Sequence, residues 1–167
     1  MDEVSEFFMH ATLIGVGATA VMDVWGYLRK RLFSIPAMNY GLVGRWIGHL
    51  ARGRFRHDAI AASSPVRYEP LIGWTVHYFI GIAFAAMLLA IVGLEWAERP
   101  VLLPALLFGI GTVAAPFLLM QPGMGLGVAA SRTPRPAAAR VQSLITHGMF
   151  GLGLYATACI VNLLARL

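Results

Sequence analysis

Two apolar stretches of the chain carry a histidine with a glycine one helical turn later: His77-Tyr78-Phe79-Ile80-Gly81 and His147-Gly148-Met149-Phe150-Gly151. Asp23 lies in a third apolar stretch. An ionisable group inside an apolar helix is costly to bury, so these three positions are the first candidates for chemistry. Two imidazoles and a carboxylate form a ligand set used by zinc and non-haem iron, with Gln121 or water as a further ligand. The same two histidines would suit the axial positions of a b-type haem, with Gly81 and Gly151 leaving room for the macrocycle. A third use needs no cofactor: Asp23 hydrogen-bonds the histidines and pins the helices together, or the groups act as a protonation switch.

The elements that must position these residues are apolar. Hydrophobic residues make up 58% of the chain and charged residues 13%, against about a quarter charged in a soluble domain. Four runs, Phe7 to Leu28, Leu71 to Leu94, Val101 to Met120 and Val141 to Ala165, can each cross roughly 30 Å of hydrocarbon at about 1.5 Å per residue. The expected fold is an all-α integral membrane protein, residues 1–167 forming a single membrane domain of four transmembrane helices. Asp23, His77 and His147 would share a layer roughly 7–9 Å below one membrane surface. Gly73, Gly81 and Ala85 flank His77, Ser143, Gly151 and Tyr155 flank His147, and Gly15 and Thr19 precede Asp23, all at helical spacing. Such small-residue stripes let backbones approach, so they should face the bundle.

Of the 13 Lys and Arg, all but Arg99 and Arg166 lie between the first and second runs or between the third and fourth. Those loops are expected in the cytoplasm, with both termini on the outer side. The acidic Asp2, Glu3 and Glu6 before the first run are unlike a signal peptide, so that run is expected to stay as a span. Basic residues beside spans fit orientation and anionic lipid headgroups, and nucleic acid is not expected as a partner. Cys159 is the sole cysteine, which excludes an intrachain disulfide.

In the first basic loop, Leu42, Val43, Trp46, Ile47 and Leu50 recur at spacings of three and four, predicting a short interfacial helix over 39–51. Pro116 should kink the third span. Glu69, just before the second run, has Arg67 and the neighbouring arginine cluster as candidate partners and is assigned no role. The pattern Gly15-Val16-Gly17-Ala18-Thr19 resembles Gly109-Ile110-Gly111-Thr112-Val113, and each is followed by a basic loop and a His-x-x-x-Gly helix. The chain therefore reads as two tandem helical hairpins in a parallel repeat.

Gly15 to Thr19 with Met22-Asp23 and Trp25, then Asn39-Tyr40 through Gly53-Arg54-Phe55-Arg56-His57-Asp58, then Met120-Gln121-Pro122-Gly123-Met124-Gly125, resemble a family of small bacterial membrane proteins catalogued as domain of unknown function 2938. The resemblance implies four spans and a bacterial inner-membrane location, and no activity. Arg54, His57, Asp58 and Gln121 would join Asp23, His77 and His147 in a cytoplasm-facing ligand or metal pocket, coupled to proton or solute movement. The cofactors that would suit it are zinc, iron or haem b. The alternative is an accessory subunit of a larger membrane complex, with the His-Asp layer purely structural. Four spans are few for a complete path, so transport would call for a homodimer. No nucleophile stands beside a base at a recognisable spacing, which leaves catalysis unsupported.

Overall fold

The computed structural model describes residues 2–166, and all regular secondary structure among them is helical. α1 runs over Glu3–Phe33: the Asp2 side chain accepts from Ser5 N at 3.1 Å, Glu3 and Glu6 occupy the first turn, and Lys30 and Arg31 the last. Each charge complements the helix dipole. α2, Tyr40–Leu50, is capped by Asn39, whose side chain accepts from Gly41 N at 3.0 Å. There follow α3 at Glu69–Val92, α4 at Glu95–Glu98, α5 at Leu102–Gly111, α6 at Gln121–Gly123 and α7 at Pro136–Leu164.

Four helical stretches, Glu3–Phe33, Glu69–Val92, Leu102–Gly123 and Pro136–Leu164, are long and apolar enough to cross a membrane. The expected runs lie mostly within them, so apolar length located these helices and the polar caps extended them. The third is not a regular helix. Pro116 has no N–H to give and its ring crowds the preceding turn, and Pro116–Met120 takes a π-helical path before α6 begins.

The described residues divide into two compact units, and α3 and α7 contribute to both. The first holds the chain up to Ala37, Tyr78–Thr112 and the chain from Ile145 onward. Its core includes Ile14, Leu88, Leu89, Phe150 and Leu154. Small residues set the helix spacing: a side chain at Gly15 would meet the backbone of Gly81 and Ile82, and one at Gly109 would meet Gly151. Thr19 lies against Gly81 and donates to Gly15 O at 2.7 Å, so even this hydroxyl is satisfied within its own helix.

The second unit comprises Met38–His77 and Val113–Leu144. Val43, Trp46, Ile60 and Met124 form its core. α2 packs on α3 with Gly44 and Gly73 face to face, where a methyl group on either would collide with backbone. The Trp46 ring covers Gly123, and its Nε1–H donates to Phe55 O at 2.8 Å. The loop after α2 is tied to the turn around α6 by His57 N to Gly123 O at 2.9 Å and Ile60 N to Met124 O at 3.0 Å. Gly125, at φ +92°, adopts a conformation that side chains resist and leaves room for the Asp58 backbone.

Candidate functional site

Of the seven residues expected at the site, Asp23 and His147 fall in the first unit, and Arg54, His57, Asp58, His77 and Gln121 in the second. In the first unit, Tyr78 Oη donates to Asp23 Oδ2 at 3.0 Å. Thr112 Oγ1 is 2.5 Å from Gly109 O and 2.8 Å from His147 Nδ1. A threonine hydroxyl has one proton, so with Gly109 O as acceptor the imidazole donates from Nδ1, leaving Nε2 as the basic nitrogen. Beside it, Arg29 is buried and donates to Thr146 Oγ1 at 3.2 Å and to Pro36 O at 3.4 Å.

In the second unit His77 Nε2 is 2.9 Å from Tyr40 Oη, and the two rings lie 4.2 Å apart, centre to centre. Trp74 packs on Tyr40 from 4.4 Å, so helix α2 supplies the partner and α3 both the imidazole and the indole. Among the described residues no group of three or more His, Cys, Asp and Glu could hold a metal ion. Asp23, His77 and His147 each have a hydroxyl partner within their own unit.

Arg45 organises the loop. Its guanidinium meets Glu69 through Nε to Oε1 at 2.7 Å and Nη2 to Oε2 at 3.1 Å, and Nη1 reaches Ala61 O and Ser63 O, each at 3.0 Å. Glu69 Oε1 also accepts from Val66 N at 2.6 Å. Of the arginines considered for Glu69, Arg67 is not its partner, and Arg45 is. Arg67 instead lies over the Tyr68 ring at 4.6 Å, while α2 brings Arg45 to the first turn of α3.

Two further histidines lie within this frame. His49 Nε2 is 2.9 Å from Ser64 O, His57 Nδ1 is 2.9 Å from Ser63 Oγ, and the two rings meet edge to face at 4.9 Å. The other His57 nitrogen, Nε2, and Gln121 Oε1 are buried with no hydrogen-bond partner. Arg54 and Asp58 are exposed. Sequence reasoning named His57 and Gln121 and assigned no role to Tyr40, Tyr78, Thr112, Arg45 or Ser63. An arginine on the polar side of α2 was the only visible signal for Arg45.

Burial pushes the His57 pKa below its ordinary 6.5, and the nearby Arg54 and then His49 act in the same direction. The native protein therefore favours neutral His57, and this contribution to stability is complete above the unfolded value and lost as pH falls through the lowered one. In detergent, the unfolding midpoint of wild type is expected to fall as pH is lowered below about 6.5. In His57→Phe that fall should be smaller; equal pH dependence in the two proteins would reject His57 as its source.

No curated protein and no solved structure matches the chain. The model of one family, described as a protein of unknown function, DUF2938, matches residues 12–161. That span takes in Asp23, both histidines of the apolar helices, α2 and the α6 turn, and the chain belongs to this family.

Proposed function

We propose that this is a multi-pass protein of the bacterial inner membrane that couples protonation of Asp23 and His147 to the binding or movement of a solute. The observation that carries the reading is that both residues, on candidate spans, face a hydroxyl from a neighbouring helix: Tyr78 for Asp23 and Thr112 for His147. Tyr78 Oη can donate to an ionised Asp23 or accept from a protonated one, and Thr112 accepts from His147 Nδ1 whether or not Nε2 is protonated, so each pair accommodates both protonation states, whereas an ion pair would hold one. Intramembrane ionisable residues with this kind of partner commonly serve proton-linked roles.

The topology proposed with it places the arginine-rich loops in the cytoplasm, both termini outside, and α2 in the headgroup region. A parallel two-hairpin repeat is supported by equivalent contacts: Gly15 against Gly81, and Gly109 against Gly151. A homodimer would enlarge a four-span path.

The test is proton entry into proteoliposomes that hold a pH-sensitive dye, driven by an imposed membrane potential. Wild type should acidify the lumen faster than protein-free vesicles, and Asp23→Asn should return the rate to the protein-free level while keeping its thermal midpoint. Wild-type flux no greater than that of empty vesicles would remove the proton-linked reading and favour an accessory subunit.

A further inference from the structure

The second unit contains a polar centre that the proton-linked reading does not use. His57 and Gln121 are each more than nine-tenths buried, at 6% exposure, and His57 Nε2 and Gln121 Oε1 have no protein partner. The segments that carry them are fixed to one another. His57 N bonds Gly123 O, Ile60 N bonds Met124 O, and Leu126 N closes the turn on Gln121 O at 2.8 Å. The imidazole is held by Ser63 Oγ on its other nitrogen and by the His49 ring, so Nε2 has a set direction.

Two buried polar atoms without partners are unusual in a folded protein, where such groups nearly always find a hydrogen bond. Their chemistry narrows what would satisfy them. Gln121 Oε1 only accepts, so the missing partner must donate a hydrogen bond. A cation is disfavoured: the unit carries eight arginines against Asp58 and Glu69, and Arg45 already neutralises Glu69. An anion is also disfavoured, because an amide oxygen repels it and the arginines nearest His57 in sequence, Arg54 and Arg56, are both exposed. We propose that His57 and Gln121 form a binding site for a small uncharged molecule of the amide or alcohol class, which donates to Gln121 Oε1 and pairs with His57 Nε2.

The probe is acetamide, at concentrations on the order of tens of millimolar, as befits a ligand of four heavy atoms. Acetate and methylammonium serve as its charged counterparts. The readouts are the unfolding midpoint of the full chain in detergent and the nitrogen resonances of the His57 ring. Acetamide should raise the midpoint by a few degrees in a saturable way and shift the His57 Nε2 resonance, and the two charged probes should do neither. Gln121→Leu should abolish both responses. It should also fold at least as well as wild type without ligand, since an apolar side chain removes a buried unsatisfied oxygen. An unmoved His57 resonance would mean that water alone fills the site, and would overturn the proposal. So would an equal response in Gln121→Leu, or one to acetate as strong as that to acetamide.

Discussion

Arg45→Met is expected to open the loop between α2 and α3. One guanidinium bonds both oxygens of Glu69 and two loop carbonyls, Ala61 O and Ser63 O, with Ile60 O at the limit of reach, 3.5 Å. Removing it leaves a largely buried carboxylate without its counter-charge and frees the carbonyls that hold the 3₁₀ turn Ile60–Ala62. Losing one partner of a buried pair is far more damaging than losing both, because the survivor keeps its desolvation penalty. Limited proteolysis between Arg52 and Arg67 should accelerate at least about tenfold if cleavage tracks local opening. The double variant Arg45→Met/Glu69→Met should recover part of the loss. Arg45→Lys should rescue little, since a single ammonium cannot span the carboxylate and the carbonyls together. Unchanged cleavage in Arg45→Met would show that the loop is held by its backbone alone.

The second large effect is expected at the contact of α2 with α3. Gly44→Ala places a methyl group against the Glu69 backbone, and Gly73→Ala places one against the Tyr40 backbone. Backbone cannot turn aside as a side chain can, so each change should cost at least the upper part of the usual overpacking range, about 3 kcal/mol. The contact between Tyr40 and His77 should be lost with it, because α2 must move away. Gly26→Ala in α1 and Gly111→Ala at the end of α5 meet nothing within 4 Å. They should be neutral or stabilising by up to roughly 1 kcal/mol, as alanine for glycine in a helix. Thermal midpoints of the four variants in one detergent check the contrast. Equal midpoints for Gly73→Ala and Gly26→Ala would refute the close approach.

These cases show which features local sequence could convey. Spans are encoded by length and apolarity, so Phe7 to Leu28 identified the centre of α1 and the Asp2 cap and Lys30-Arg31 explain its longer extent. α2 was legible from its three-and-four spacing, and disruption of the third span from Pro116. The partners of the ionisable residues were not. Tyr78 was visible only as the neighbour of His77, and Glu69 only beside Arg67 and the arginine cluster before it, because sequence neighbours are visible while helix-to-helix contacts are not. Gly44 and Gly73 decide which side chains of α2 and α3 face one another, and hence that Arg45 meets Glu69 and Tyr40 meets His77. Of the seven expected site residues, His57 and Gln121 lie on segments joined by backbone hydrogen bonds, and Asp23, His77 and His147 each have a hydroxyl partner.

The second unit is assembled from two stretches of chain, Met38–His77 and Val113–Leu144, and this has a consequence for biosynthesis. His57 and Ile60 leave the ribosome well before Gly123 and Met124, the residues whose carbonyls their amides require. At about 5–20 residues per second the delay lasts several seconds. During that interval the nascent loop has Arg45 and Glu69 to shape it, but lacks the turn that closes it. Completion of this unit therefore waits on synthesis of the third span, and a pause in translation near Pro116 would prolong the period in which the unfinished loop is exposed to chaperones and proteases.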